Sequence, residues 1–420
     1  MLKKFISLFL LFTPLLFSIN LKIASYNVEN LFDMTYNGTE YKDYVPNKHN
    51  WTREIFNKKL LHTAEVICDI NADMMALQEI ENENVLKLLQ QKLRRVGCYY
   101  KYSTITHKKK SAIQVAVLSK YPFQSTKEIV VHRALGYRNI LEVKYNFGNK
   151  KNLFLYINHW KSKASSEKYR MLSAKVLLNR LKQLSTNTPY ILLGDFNSDY
   201  DEYLHIEKKH NDTKGKIGLN HTLKTISSKG LFIRPSNIFT QALQHYNLWL
   251  EVPNYRRWSH NFYGNKQALD SIIVSSSLLD SKGLEYIRHS FNVLKKSYLF
   301  HKKGYIFRWK YKNHRHYGEG YSDHLPIFAN FSTDIKVKKT MASTSKLLKK
   351  VKVLSVEKKK ALLYDKINHK KIFIYGIKKS LKLNYFYDIR VYKEKLYQGH
   401  YEIIDFEIEK RYDSDYKKED

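Results

Sequence analysis

Apolar positions along this chain follow two rhythms. In LKIASYNV, MMALQEI, AIQVAVLSKYPF and PYILLGDFN they run together or alternate, as in strands buried within a sheet. Between the first two runs, Phe56, Leu60, Ala64 and Ile67 recur at helical spacing behind Thr52, a residue suited to cap a helix. Val85, Leu88, Leu89 and Val96 form a second stripe, stopped by Gly97. Ser165 or Ser166 opens a third helix, EKYRMLSAKVLLNRLKQL. ILEVKYNF and NLFLYINHW flank a Gly–Asn turn and predict a hairpin. Residues Ser198 to about Ser228 are polar and weakly patterned, which predicts a surface insertion. QALDSIIVSSSLL and SDHLPIFANF supply two more strands, separated by a Lys-, Tyr- and His-rich stretch from about Lys295 to Tyr321. Strands alternating with helices, plus hairpins, predict an α/β fold with mixed sheets.

Past Phe331 the pattern changes. A polar, basic connector gives way to KVKVLSV, KALLYDK, KIFIYGI, YFYDIRVY and YEIIDFEIEK. Closely spaced β-runs without a helix predict a small all-β, barrel-like domain. The start of the chain differs again: Lys3 and Lys4 precede an apolar run from Phe5 to Phe17, then Ser18 and Asn20. That is the layout of a secretory signal peptide, so the mature chain is expected in the periplasm or outside the cell. The expected organisation is therefore a signal peptide at 1–20, a large α/β domain at 21–333, a basic linker at 334–347, a small β domain at 348–411 and a tail at 412–420.

Charge adds to this picture. Lys and Arg number 73 against 39 Asp and Glu, a formal net charge of +34. A field of that sign favours polyanionic partners. Cysteine chemistry is excluded as the function, because Cys68 and Cys98 are the only two and show no metal-binding spacing. They could form one bridge in an oxidising compartment or stand as two buried thiols.

The chemistry gathers where strands end. Asn27 closes the first strand, Gln78–Glu79 the second, Asn158–His159 the hairpin and Asp195–Phe196–Asn197 the strand after Pro189; Asp270 begins SIIV and Asp323–His324 precede LPIF. Apolar strands that deliver polar groups at their ends build a site on one rim of a sheet. The strings SYNVENLF, ALQEIEN, INHWKSK, LLGDFNS, LDSIIVS and YSDHLPIF, in this order from about Leu21 to Phe331, resemble the endonuclease/exonuclease/phosphatase superfamily. The resemblance implies a four-layer α/β sandwich, two mixed sheets packed face to face between helices.

It also implies roles. Glu79, with Asn27 and Asp323, would hold a divalent cation, Mg²⁺ or else Mn²⁺ or Ca²⁺, all of which suit oxygen ligands. Asp195 would orient or deprotonate the attacking water, Asn197 would hold a phosphate oxygen, and His159 and His324 would bind phosphate or donate a proton. Asp270 is expected to hydrogen-bond His324. Arg170 resembles an arginine that supports the site or contacts phosphate. Arg138 and Lys161 are candidates for substrate binding, as are Arg256, Arg257 and Trp258 taken as a group. The other histidines, His132, His221, His260 and His301 among them, are read as ordinary.

Three functions compete. The first is an exported, metal-dependent endonuclease of low specificity that cuts DNA and can extend to RNA. The second is a sphingomyelinase-type phosphodiesterase, using Phe300, Phe307 and Trp309 to enter a membrane. The third is an inactive, basic nucleic-acid-binding or adhesion protein, which the complete set of acids and imidazoles argues against.

Overall fold

Two sheets lie face to face in the computed structural model, which describes residues 18–148, 152–239, 242–262, 264–334, 346–357, 360–375, 381–397 and 400–412. The expected signal peptide therefore falls almost wholly outside the described residues, as do most of the linker and the tail. No helix among the described residues is long and apolar enough to cross a membrane.

The first sheet is built on β1 (Asn20–Leu31), β2 (Met74–Ile80), β3 (Tyr102–Ile105), β4 (Gln114–Ser119) and the late strand Ile327–Ser332. Its order is Glu285–Tyr286, Ile327–Ser332, β1, β2, β4, β3. β1 runs parallel to β2 and antiparallel to Ile327–Ser332, with Asn20 opposite Ser332. Ile19 continues this contact by exchanging hydrogen bonds with Thr333. The sheet thus begins at Asn20, within the stretch read as signal peptide.

The second sheet runs β5 (Ser125–Ile129), β6 (Ile140–Asn146), β7 (Asn152–His159), β8 (Tyr190–Asp195), then Asp270–Ser275 and His245–Asn247. Strand alternation divides its residues between two cores. Leu155, Ile157, Ile191, Leu193, Ile272 and Val274 face the first sheet. Tyr156, Tyr190, Leu192 and Ile273 face the other way, against Ala174, Leu177 and Leu181 of helix α3 (Glu167–Leu181). Helices α1 (Arg53–Ile70) and α2 (Glu83–Arg95) pack with the first sheet. The layers are helix, sheet, sheet, helix, in agreement with the expected sandwich. Thr52 and Asn82 cap α1 and α2 through their side chains.

β5 was not expected: it is mostly exposed, with the sequence STKEI, and carries no apolar signal. The Cys68–Cys98 pair is bonded, joining α1 to the chain after α2 across Cα atoms 5.6 Å apart. Beyond residue 345, five strands (Lys346–Val356, Lys360–Asp365, Lys370–Tyr375, Phe386–Tyr397, His400–Tyr412) close into a barrel around Val351, Val353, Leu363, Ile374, Ile389 and Ile403.

Candidate active site

Strand register assembles the site. In the second sheet His159 stands beside Asp195 across the parallel β7–β8 pair, and Asp195 stands opposite Asp270 across the antiparallel partner. Three polar groups from three distant parts of the chain therefore share one row. In the first sheet the pairing of β2 slips between Gln78 and Ile80, and Glu79 sits in that bulge at φ 67°. Bulges re-aim side chains, and a left-handed glutamate persists only where its surroundings hold it. Here the bulge turns Glu79 towards the facing sheet.

The two rims meet at Asn27. Its side-chain Nδ2 donates to Glu79 Oε1 and to Asp195 Oδ2, each at 3.0 Å. Its oxygen accepts from Glu29 N at 3.0 Å. Asn27 thus presents its amide N–H to the carboxylates, unlike the oxygen ligand expected from the sequence. His159 Nε2 lies 3.7 Å from Glu79 Oε1 and 3.6 Å from Asp195 Oδ2. His324 Nδ1 and Asp270 Oδ2 are 2.7 Å apart, and Ser259 Oγ donates to that same oxygen at 2.6 Å. His324 Nε2 turns towards Asp195 Oδ2 at 3.9 Å and Asp323 Oδ1 at 4.0 Å. Glu79, Asn27, His159, Asp195, Asp270, Asp323 and His324 are thus one cluster. Asn197 joins at its edge at φ 47°: its backbone N–H donates to Asp195 Oδ1 at 2.8 Å, and its side-chain N–H to Trp160 O at 3.2 Å.

Burial sets the protonation states. It pushes Asp195 up, against the pull of His324. It pushes His159 well down, with Arg138 adding to the effect, so this ring is neutral near pH 7. Burial also opposes the charge on His324, but Asp270, Asp195 and Asp323 together outweigh it and hold the ring well above its ordinary value. Burial likewise works against ionised Asp323, yet His260, His324 and Arg308 prevail and keep it below the usual carboxylate range. Glu79 is raised, chiefly by burial.

Glu79 is the carboxylate of this cluster best placed to take up a hard divalent cation. Its side chain keeps 17% of its exposure, whereas those of Asp195 and Asp270 keep 2% and 1%. Among the described residues, no lysine or arginine pairs with it. Asp323, also open to solvent, already shares Arg308 with Glu29, at 3.3 Å from the guanidinium. Three buried atoms at this site have no hydrogen-bond partner among the described residues: His159 Nδ1, His260 Nδ1 and Asp270 Oδ1.

Other sequence expectations separate here. Arg138 stands at the rim, its Nη1 donating to Trp160 O at 3.2 Å. Lys161 lies against the Gly136 turn beside it. Arg170 does not face the cleft: fully buried, it pairs with Glu167 at 2.7 Å and donates to the carbonyls of Ser162 and Ser165. It shapes the loop after His159 from behind and cannot contact phosphate there. Of the supposed track residues, Arg256 is exposed, but Arg257 and Trp258 are buried. Trp309 is buried too, donating to His316 at 3.0 Å, while Phe300 and Phe307 are half-buried. The stretch expected to enter a membrane spends these aromatics on packing.

Sequence reasoning missed His260, Ser259, Glu29 and Arg308. His260 packs at a tilt against His324, ring centroids 4.7 Å apart, and lies 3.8 Å from Asp323. No motif marks it: it lies just past the group Arg256, Arg257 and Trp258, singled out for cations and an aromatic ring. Glu29 lies inside SYNVENLF and was passed over for Asn27.

The pattern of the Endonuclease/Exonuclease/phosphatase family matches residues 22–333, and the chain belongs to that family, whose members are phosphodiesterases and phosphatases. Among solved structures it is similar to a truncated TDP2 from Caenorhabditis elegans (13% identity, 74% of this chain and 97% of that one, TM-score 0.45). It is also similar to TDP2 from D. rerio complexed with a single-strand DNA product (15%, 74% and 98%, TM-score 0.46). A third is an endonuclease/exonuclease/phosphatase family protein from Bacteroides thetaiotaomicron (15%, 76% and 99%, TM-score 0.47). No curated protein matches.

Proposed function

We propose that this protein is an exported, divalent-metal-dependent phosphodiesterase that cuts nucleic acid, DNA foremost, as an endonuclease. The observation that carries the reading is the convergence of Glu79, His159, Asp195, Asp270 and His324 on one rim, with His324 held by Asp270 at 2.7 Å. Export rests on the signal-like first twenty residues. The choice of a polyanion rests on the +34 charge and on the burial of Trp309, which leaves the membrane-entering alternative without its main anchor.

Glu79, with Asp323 near it, would hold a divalent cation, which would supply neutralisation of the phosphate and polarisation of its P–O bonds. The chain supplies the rest. His324, kept cationic by Asp270, sits where a phosphate oxygen takes its charge. Asp195, raised by burial and within reach of His324 and His159, orients a water for in-line attack and accepts its proton. Asn27 and Asn197 fix the two ends of the Asp195 carboxylate by hydrogen bonds. His159, neutral, lies between Asp195 and Glu79.

Circular plasmid tests this. The purified protein should nick it, chelator should abolish nicking, and Asp195→Ala should lower the rate at least a hundredfold while DNA binding persists. Nicking that survives chelator, or equal cutting by the variant, refutes the reading.

A further inference from the structure

Away from the catalytic rim, the insertion after Asn197 and the C-terminal barrel enclose a cavity of about 200 Å³. Tyr203 and Phe232 of the insertion line one side, and Tyr387 and Phe406 of the barrel line the other. The insertion rings are fixed by their neighbours: Phe232 packs against Tyr200 at 5.8 Å and Tyr203 at 5.9 Å, and Tyr203 Oη donates to Gly230 O at 2.9 Å. The two sides are stitched together by Asn254 Nδ2, which donates to Phe406 O at 3.2 Å.

The charge on this lining is one-sided. Lys229, Arg234 and Arg257 reach it from the larger domain, Lys382 and Arg411 from the barrel. Asp201 is the one carboxylate among its described residues, and it is 3.0 Å from His205 Nε2. Arg234 and Arg257 are buried and engaged within the protein, whereas Lys229 and Lys382 are exposed and Arg411 half-buried, so an anion at the opening meets these three. Arg257 is already oriented: its guanidinium donates to Val252 O at 2.5 Å and Leu250 O at 3.3 Å and lies 5.0 Å over the Tyr200 ring.

Flat aromatic sides below and cations at the mouth describe a receptor for a ring that carries a phosphate. A cavity of about 150 Å³ holds benzene, so this one admits a base ring with its sugar phosphate at the opening. We propose that the cavity between insertion and barrel binds a nucleotide, its base against Tyr203 and Phe232 and its phosphate against Lys229, Lys382 and Arg411. The ring-bearing phosphate follows from the lining alone; the choice of a nucleotide rests on the nuclease reading above.

The test is calorimetric titration of the full chain in chelator, where turnover is suppressed. 5′-dAMP should bind, with adenosine and inorganic phosphate each at least tenfold weaker. Arg411→Ala and, separately, the exposed Lys382→Glu should each weaken 5′-dAMP tenfold or more, while His324→Gln, which removes the phosphate-binding imidazole of the catalytic rim, leaves its affinity within twofold and so places the ligand away from that rim. A 5′-phosphorylated trinucleotide that binds tighter than 5′-dAMP assigns the cavity to a strand of the substrate; equal or weaker binding assigns it to a free nucleotide. Unchanged affinity in both cation variants, or phosphate alone binding as well as 5′-dAMP, overturns the proposal. Loss of plasmid nicking with this binding intact would strike the nuclease reading only.

Discussion

Histidine shows how far a residue's chemistry is made by its surroundings. His324 and His245 are both buried, and burial alone discharges an imidazole. His324 has Asp270 at 2.7 Å and two further carboxylates nearby, which reverse the effect and keep the ring charged. His245 has the Tyr190 hydroxyl at 2.9 Å and the carbonyl of Leu223 as hydrogen-bond partners rather than a carboxylate, and burial, with the charge of Lys224 adding to it, pulls it down to about 4. The sign of its effect on stability follows. In the unfolded chain the ring takes up a proton below about pH 6.5; in the fold it resists until about pH 4. Stability from this residue is therefore complete above pH 6.5 and drains away as pH falls towards 4. Between pH 7 and pH 5 the loss is about 2 kcal/mol. Urea midpoints at the two pH values should show a smaller gap in His245→Gln than in the parent; an unchanged gap would mean that other groups set the acid sensitivity.

At the scale of elements, one glycine shows how tightly the catalytic row is packed. Gly194 precedes Asp195 at φ 128°, and a Cβ there would stand 2.1 Å from Asn158 O. β7 and β8 would have to part by more than 1 Å, and His159 and Asp195 sit on those two strands. Gly194→Ala should cost roughly 3 kcal/mol or more, combining a forbidden backbone angle with a main-chain clash. Urea unfolding followed by circular dichroism measures it; a cost below about 1 kcal/mol would show that the strands can yield. The same elements show what was legible beforehand. β1, β2, β7 and β8 announce themselves because an apolar run buried on both faces ends in a polar group, and that junction is the site. Helix α1 carried both stripe and cap, whereas of the stripe expected for α2 only Val85 and Leu89 are buried, with Leu86 and Leu93; Leu88 is half-buried, Val96 is exposed, and the cap Asn82 was not read. β5 was silent because a sheet edge exposed to water needs no apolar pattern. Arg170 misled because an arginine near a phosphate motif reads the same whether it faces the cleft or the loop behind it; only the position of Glu167, on the same helix face, decides. Arg308 was illegible because it comes from an irregular segment whose path depends on tertiary packing, and His260 because its strand, His260–Phe262, is too short to show a pattern.

Across the whole molecule the decisive quantity is charge. An excess of +34 is far more than a site with one cationic imidazole and a metal ion needs, and it is expressed on both the catalytic domain and the barrel. Were it only a solvated coat, binding to DNA would answer weakly to salt. A surface that neutralises several phosphates releases their counterions, so affinity falls steeply as salt rises. Contact with about four phosphates lowers affinity roughly a hundredfold between 50 and 200 mM salt. That fall is the expected outcome for an uncleavable duplex bound in chelator, measured by fluorescence anisotropy. Small phosphodiesters such as bis-p-nitrophenyl phosphate touch only the catalytic rim, and their KM should move less than threefold over the same range. The two responses together separate a polyanion track from a site that merely binds phosphate: a hundredfold fall for DNA beside a flat KM places the charge in substrate binding, and a flat response for both leaves the polymer with no more hold on the protein than a single phosphodiester has.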